Sequence, residues 1–217
     1  MTIDISAVLV VSEEGPRAGI ALHSAIDAAG AARQQGLDVE VVVVLAHATP
    51  ATRLAVGAAE EHGARVEHIG GVDPGTALNY AVSVAKGTYV AMLDGGALWS
   101  ENWLVEAHAV AQASPAHTIV HPEVHWFYEQ GRELYFPPDQ TEPGFDPAAV
   151  RLGNCWDALA FAAASIYRAV PFAALGADAQ PGDLDWAWSI ATLDAGLQHR
   201  VAPQTLNFRR RRPRTLR

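Results

Sequence analysis

Two regions of the 217-residue sequence place isolated carboxylates where chemistry can use them. Asp94 directly follows the apolar run 89–93, and Asp183 and Asp185 open an apolar stretch near the C-terminus. A carboxylate can bind a divalent cation or accept a proton from a hydroxyl group. Each has a structural alternative, because Asp94 can cap a helix expected near Trp99 and the helix dipole favours an acid such as Asp183 in a first turn. Asp185 is interpreted as a solvated or capping acid.

His121, Glu123 and His125 form a second group of possible ligands. Alternation along a predicted strand puts the three side chains on one face, and two imidazoles with a carboxylate can bind a transition metal. Pro122 interrupts the run, however, and alternating polar residues are typical of the solvent-exposed face of a strand. We therefore expect an exposed strand face here rather than a metal site.

Arginine is concentrated in the last nine residues, although the net charge is −9. The remainder of the chain has 24 acidic residues against nine basic ones, so it would repel nucleic acid, and we predict no nucleic-acid partner. The cluster can be a solvated tail, or it can contact an anionic membrane surface peripherally. Its members are Arg209, Arg210, Arg211, Arg212, Arg214 and Arg217.

The elements that must position these residues alternate between strand and helix patterns in the first half. Such alternation with short connections predicts an α/β fold with a parallel, doubly wound sheet, which binds ligands beyond the carboxyl ends of its strands. The loops after Val11, Leu45, Ile69 and Leu93 are therefore candidate site loops. The predicted strands are 5–11, 39–45, 65–69 and 89–93, and the predicted helices are 18–35, 50–63 and 76–86.

The second half is less regular. A hairpin is predicted from 118–128 and 133–136 around Gln130 and Gly131. A later helix is expected to bury one apolar stripe, and short strands at 199–202 and 205–208 finish the fold. We expect one domain over 1–208 and a basic tail over 209–217. The residues of the predicted stripe are Trp186, Ile190, Leu193 and Leu197.

Two segments carry a family resemblance. LNYAVSVAKGTYVAMLDGGALWSENWL at 78–104 and GDLDWAWSIATLDAGLQHRVAPQTLNFRRRR at 182–212 resemble the family-2 glycosyltransferases. The resemblance implies the GT-A fold of nucleotide-diphospho-sugar transferases, in which a mostly parallel sheet is flanked by helices and a smaller C-terminal hairpin region lies on the acceptor side. The matching positions in the first segment are Asn79, Ala85, Gly87, Tyr89, Val90, Leu93, Asp94 and Trp99.

The resemblance also implies an activity: inverting transfer of a sugar from a nucleotide diphosphate sugar to an acceptor hydroxyl, in bacterial surface polysaccharide or glycoconjugate synthesis. The acceptor would be a saccharide, a lipid or a protein. Asp183 would be the general base, and Asp94 would bind Mn²⁺ or Mg²⁺ or the ribose. Acceptor contacts are expected from His121, Glu123 and Trp126. Sugar-donor contacts are expected from Ser12, Glu13, Ala46, Asn79, Asp94, Gly95, Gly96, Arg209 and Arg210.

Several family positions are replaced here. The metal motif Asp-x-Asp is Asp94, Gly95 and Gly96, and one carboxylate is a poor Mg²⁺ or Mn²⁺ site. Arg209 and Arg210, after the last predicted strand, can neutralise the diphosphate in place of a cation. The other replaced positions are Ser12, Glu13, Ala46, Leu78 and Gly182.

Three other functions stay open or are disfavoured. The replacements favour, as an alternative, a catalytically impaired module that binds nucleotide sugars or acts as a scaffold. A nucleotidyltransferase is disfavoured because the loop SEEGPRAG supplies only Arg17 as a basic residue, and a dehydrogenase because no G-x-G-x-x-G opens the first helix.

The sequence also bears on the cellular compartment. Cys155 is the single cysteine, the N-terminus has no basic n-region, and no stretch of about 18 uncharged apolar residues occurs. We expect a cytoplasmic protein.

Overall fold

The computed structural model describes residues 2–129, 131–176 and 182–210. The strands in that part of the chain are β1 (Ile5–Val11), β2 (Val39–Ala46), β3 (Arg65–Ile69), β4 (Tyr89–Asp94), β5 (Ala97–Trp99), β6 (Thr118–Tyr128), β7 (Glu133–Tyr135), β8 (Phe161–Ala163) and β9 (Gln198–Arg210). The helices are α1 (Arg17–Gln34), α2 (Pro50–Ala55), α3 (Pro74–Val84), α4 (Trp103–Ala113), α5 (Pro147–Val150), α6 (Ala164–Ala169) and α7 (Asp183–Asp194).

All nine described strands belong to one sheet. Its order is β3-β2-β1-β4-β8-β6-β9-β5, and β7 pairs with β6 off that path. The first four strands in the chain are parallel, whereas β8 runs antiparallel to both β4 and β6. The parallel, doubly wound first half and the hairpin of β6 with β7 confirm the predicted α/β fold.

The first half forms this sheet because β1, β2 and β4 are apolar on both faces. On one face, Leu9 and its alternate neighbours in β1 belong to one core with residues of α1 and α4. On the other face, Val8 belongs to a second core with residues of α3, α6 and α7. Parallel strands need helical crossovers, and those helices cover both faces of the sheet.

The second half attaches to the first through β8. β6 and β9 then run parallel over ten paired positions, interrupted by a register shift between Pro122 and Val124. β5 is short and lies antiparallel to the end of β9, with Ala97 opposite Arg209. This pairing returns the end of β9 to the turn that follows β4.

Four local expectations were wrong. The helix expected over 50–63 ends at Ala55, and a separate 3-10 turn covers Glu60–His62. Trp99 ends strand β5, so the helix there begins only at Trp103. The two short C-terminal strands are one continuous strand, β9.

The fourth concerns α7, which buries a different stripe from the one predicted. Its buried residues are Trp188, Ser189 and Thr192, whereas Trp186 and Ile190 are only partly buried. Three indole or hydroxyl groups on the inner side donate to carbonyl oxygens, which removes the cost of burying them. The donors and acceptors are Trp188 to Val170, Ser189 to Asp185 and Thr192 to Trp188.

Candidate functional site

Asp94 is the last residue of β4, at the carboxyl edge of the parallel strands. Its Oδ1 accepts a hydrogen bond from the backbone N–H of Gly96 at 2.7 Å, which fixes the turn leading into β5. On the neighbouring strand β1, the chain leaves the same edge at Ser12, whose carbonyl oxygen accepts from the N–H of Thr49 after β2. The loops after β1, β2 and β4, three of the four predicted site loops, therefore meet.

The guanidinium of Arg209 lies against Asp94. Its Nη2 is 3.6 Å from Oδ2 of Asp94, an ion-pair distance that is too long for a hydrogen bond. Its Nη1 contacts Oδ2 of Asp157. The pairing of β5 with β9 explains this placement, because Ala97 lies only three residues beyond Asp94 and is paired with Arg209.

Asp157 and Asp185 extend this group into the interior. Asp157 is 5% exposed, and its Oδ1 accepts from the N–H of Leu159 at 2.9 Å. The preceding N–H, that of Ala158, donates to Oδ1 of Asp185 at 3.0 Å. Burial, together with the negative charge of Asp94, raises the pKa of Asp185 to about 6. The interpretation of Asp185 as a solvated acid is wrong.

Asp183 and Asp185 lie on opposite faces of α7 because they are two residues apart in a helix. Asp185 shares the inner face with Trp188, Ser189 and Thr192 at positions i, i+3, i+4 and i+7. Asp183 lines a groove on the other face, together with Trp186, Ala187 and Ile190. The negative charge of Asp94 acts on Asp185.

The residues around Asp94 do not fit a divalent cation. One carboxylate oxygen is hydrogen bonded to Gly96 and the other faces the positive charge of Arg209. Among residues 2–129, 131–176 and 182–210, no group of three or more His, Cys, Asp and Glu side chains can hold a metal ion. Without further oxygen ligands from the protein, a single carboxylate beside an arginine is a poor site for Mg²⁺ or Mn²⁺.

A second charged group lies at the rim of the site. The carboxylate of Glu129 pairs with Arg17, from the start of α1, at 3.0 Å and with Arg210 at 2.5 Å. The adjacent Tyr128 donates from its hydroxyl to the carbonyl oxygen of Gly96 at 3.1 Å. The charges of Glu129, Arg17, Asp94 and Arg210 all act on the Tyr128 hydroxyl, so this group and Asp94 share one neighbourhood.

The other predicted sugar-donor residues lie in two different parts of the structure. Ser12 and Glu13 lie in the loop after β1, and Ala46 ends β2, so all three are at the carboxyl edge. Asn79 is on α3, and its side-chain amide exchanges two hydrogen bonds with the backbone of Phe172, at 2.8 and 2.9 Å. That amide connects α3 to the segment after α6. Arg211, Arg212, Arg214 and Arg217 lie outside the described residues, as does Gln130.

The predicted acceptor residues lie apart from one another. His121 is fully buried, stacks on Trp156 and bonds through Nε2 to Nδ1 of His199 at 2.8 Å. Glu123 accepts from the N–H of Gln204 in β9. Trp126 is 39% exposed and packs against Phe208.

The expectation of an exposed strand face at His121 and His125 is wrong, because both side chains are buried. Burial lowers the pKa of His121 to about 3 and holds the pKa of His125 well below its ordinary value, with the charge of Arg209 as a further cause for His125. Both imidazoles are therefore neutral in the folded protein at neutral pH. Burial also lowers the pKa of His199, followed by the effect of His121.

Sequence reasoning missed two residues of the site. Asp157 stands in an irregular loop without a motif. Glu14 was passed over for its neighbours, although its carboxylate accepts from the N–H of Ser12 at 2.6 Å and lies close to Gly95. A Cβ on Gly95 would stand 3.0 Å from that carboxylate.

Known proteins were compared with this chain at the level of sequence and of structure. The model of glycosyl transferase family 2 matches residues 6–173, which is more than half of the chain. No curated protein sequence matches it.

Solved structures of TarS from S. aureus have a similar fold. The complex of TarS 1-349 with UDP-GlcNAc gives a TM-score of 0.69 at 14% identity, covering 97% of this chain and 59% of that one. The complex with UDP gives 0.61 at 15% identity, covering 97% and 61%. The chain thus spans less than two thirds of these TarS structures. In the described part of the chain, no helix has the length and apolar character needed to cross a membrane.

Proposed function

We propose that this chain, which belongs to glycosyl transferase family 2, transfers a sugar from a nucleotide diphosphate sugar to an acceptor hydroxyl. The observation that carries the proposal is the convergence of Asp94, Arg209, Asp157 and Asp185 at the carboxyl edge of the parallel strands. That edge is where sheets of this type bind ligands. A fixed cation and an internal carboxylate with a raised pKa are the two groups that such a transfer needs.

The sugar donor would occupy the loops after β1, β2 and β4. Asp94 lies at the centre of these loops and can accept hydrogen bonds from ribose hydroxyls. A uridine nucleotide is the first candidate, because the TarS structure of similar fold is a complex with UDP-GlcNAc, and a guanosine nucleotide is the second. Ser12, Glu13 and Ala46 would line the nucleotide side of the site.

The proton acceptor would belong to α7. Asp183 matches the family's base position in sequence, but the inner face of the helix carries Asp185, and we assign the role to Asp185. A carboxylate whose pKa is about 6 is a stronger base than an ordinary one and is still ionised at neutral pH.

The reaction would be a single in-line displacement. The acceptor oxygen forms a bond to the anomeric carbon while the bond from that carbon to the diphosphate oxygen breaks, and the nucleotide diphosphate leaves with the electron pair. Asp185 takes the hydroxyl proton. One displacement inverts the configuration at the anomeric carbon.

The biological setting belongs to the same proposal. The acceptor would be a saccharide, lipid or protein used in the synthesis of a bacterial surface polysaccharide or glycoconjugate. The protein would bind the nucleotide sugar in the cytoplasm. Trp126 is the exposed aromatic side chain best suited to a sugar face on the acceptor side. The arginines at 211–217 would provide peripheral contact with an anionic membrane.

A scaffold or binding module without turnover is a second candidate. Two observations favour it. The side-chain amide of Asn79 is hydrogen bonded to the backbone of Phe172. Leu78, where the family has an arginine, is buried. Neither residue is arranged to contact a nucleotide. The two candidates differ in turnover, and a scaffold would also lack nucleotide binding.

Two measurements separate these candidates. A thermal-shift panel of UDP, GDP and their sugars should raise the melting temperature, since a ligand at a hundredfold excess over Kd stabilises by about 2.7 kcal/mol. Release of the nucleotide diphosphate from the sugar that shifts most should then be followed by mass spectrometry, with and without candidate acceptors. Binding with release supports the transferase, and binding without release supports the binding module. No shift with any nucleotide contradicts the transferase and supports the scaffold.

A further inference from the structure

Arg209 lies against Asp94, the one carboxylate that this chain keeps at the position of the family's Asp-x-Asp metal motif. On the basis of the proposed function, we propose that the guanidinium of Arg209 supplies the fixed positive charge at the diphosphate of the sugar donor, in place of a divalent cation. The nucleotide sugar would then bind, and its diphosphate would leave, without added metal.

The backbone holds Arg209 at this position. The residue lies on β9, which pairs with β6 over ten positions and with β5 at its end. Because Ala97 of β5 is opposite Arg209, the strand pairing itself delivers the side chain to the turn after Asp94. A cation attached to a paired strand costs little reorganisation when a ligand arrives.

Asp157 orients the guanidinium. It is buried, its Oδ1 is occupied by the N–H of Leu159, and its Oδ2 contacts Nη1 of Arg209. A buried carboxylate is costly unless it is paired, so Asp157 and Arg209 stabilise one another as a pair. The planar guanidinium is thereby fixed, with its Nη2 directed towards Asp94.

A diphosphate would bind Arg209 at its longer contact, the one with Asp94. At 3.6 Å it is an ion pair without a direct hydrogen bond, so a phosphate oxygen can bind Nη2 while Asp94 turns to the ribose. Arginine stays charged at every working pH and binds phosphate through a planar fork of N–H groups.

The positive charges at the site are paired with carboxylates. Arg209 meets Asp94 and Asp157, and Glu129 is met by Arg17 and Arg210. A diphosphate entering the site would therefore compete with these carboxylates for the guanidinium groups.

The test measures binding of UDP and GDP, and of uridine and guanosine without phosphate, by titration calorimetry in EDTA and in Mn²⁺. The wild-type protein should bind its nucleotide diphosphate equally well under both conditions. Arg209→Ala should weaken that binding by about 10- to 100-fold, the effect expected for one charge-assisted hydrogen bond, with little change for the nucleoside. Arg209→Lys should fall in between.

Two controls keep the test decisive. Arg209→Ala alone leaves Asp157 buried without its partner, so the double variant Arg209→Ala/Asp157→Asn removes both charges and should fold while still binding the diphosphate weakly. Arg151→Ala removes a positive charge from an exposed pair with Asp194 and should bind like the wild type.

The outcomes are distinguishable. Diphosphate binding that requires Mn²⁺, or that is as tight in Arg209→Ala and in the double variant as in the wild type, overturns the inference while leaving the proposed function intact. Failure of the wild type to bind any nucleotide, with or without metal, contradicts the proposed function itself.

Discussion

The two halves of this sheet bury different kinds of residue. Of the twelve buried polar or charged residues in the described part of the chain, Ser6 and Thr52 precede Asp94, and the other ten follow residue 117. The first half is four parallel strands, of which β1, β2 and β4 are apolar, with helices on both faces. The second half pairs β6 with β9 around histidines, aspartates and an asparagine.

This difference separates the residues that stabilise the fold from the residues of the candidate site. Apolar strands provide a rigid edge at Asp94, and the polar second half brings Arg209, Asp157 and Asp185 to it. A buried polar group lowers the free energy of unfolding unless it is paired. Buried polar groups are therefore expected where partners stabilise them or where a ligand binds them. Loss of activity and loss of stability should therefore come from different halves.

The largest expected effect is on catalysis, from Asp185→Asn. An asparagine can still accept the N–H of Ala158 but cannot take the acceptor proton, so kcat/KM should fall by about 100- to 10,000-fold with the fold intact. In the wild type, activity should also decline below pH about 6 as Asp185 becomes protonated. Initial-rate measurements over pH 5 to 8 test both statements.

Two aspartates of α7 serve as comparisons for that variant. Asp194→Asn changes the same residue type in the last turn, in an exposed ion pair, and should leave kcat/KM unchanged. Asp183→Asn decides between the two candidate bases. A greater loss there than in Asp185→Asn would return the role to Asp183.

The next effect is on stability, from Leu9→Ala in the first half. Leu9 is fully buried in the central strand β1, and removing its side chain should lower the free energy of unfolding by about 2–5 kcal/mol. Urea denaturation measures the change. A loss below about 1 kcal/mol would mean that the first half does not carry the stability of the fold.

A third effect is the acid sensitivity of the second half. The pKa values of His121, His125 and His199 are depressed by burial, so the unfolded chain binds more protons than the folded one below pH about 6.5. Stability should be fully present above pH 6.5 and fall below it, by about 1.4 kcal/mol per pH unit for each histidine. Asp185, whose pKa is raised, acts in the opposite direction between pH about 6 and 3.8.

Urea denaturation at pH 7.5, 6.5 and 5.5 measures that dependence. The three histidines with depressed pKa values outweigh the one carboxyl group with a raised pKa over this range, so the free energy of unfolding should be lower at pH 5.5 than at pH 6.5. A flat profile would contradict the burial of these imidazoles.

The smallest effect is expected from His125→Leu. Neither ring nitrogen of His125 has a hydrogen-bond partner among the described residues, so an apolar side chain of similar size removes an unsatisfied polar group. The free energy of unfolding at pH 7.5 should stay constant or rise by about 1 kcal/mol, and its decrease at pH 5.5 should be smaller. A loss of several kcal/mol would show that His125 is needed where it lies.

Much of the first half could be predicted because its signals are local. The strand Ile5–Val11 and the strand Arg65–Ile69 have the predicted bounds, since β-branched runs ended by turn residues leave few alternatives. Gly87 also has a local reason: any side chain there would collide with the backbone of Ser6 and Ile5. A pattern of residue types was sufficient in these places.

The candidate site was only partly predictable. Asp94 could be predicted as a site residue because it comes directly after a buried strand, and Arg209 was predicted to lie near the diphosphate. Asp157 gives no signal in the sequence, and the faces of α7 were misjudged because Trp186 and Trp188 fit an apolar stripe equally well. The choice between them depends on which face packs against the sheet.

The sequence by itself determined the α/β alternation, the parallel strands of the first half and the placement of Asp94 at a strand end, because hydrophobic periodicity and turn residues act over a few neighbours. Only the tertiary structure decided that Arg209 lies between Asp94 and Asp157 and that Asp185 faces inward. Those contacts join residues up to 115 positions apart, from Asp94 to Arg209, and arise from the pairing of β5 with β9. No pattern of neighbouring residues encodes that pairing.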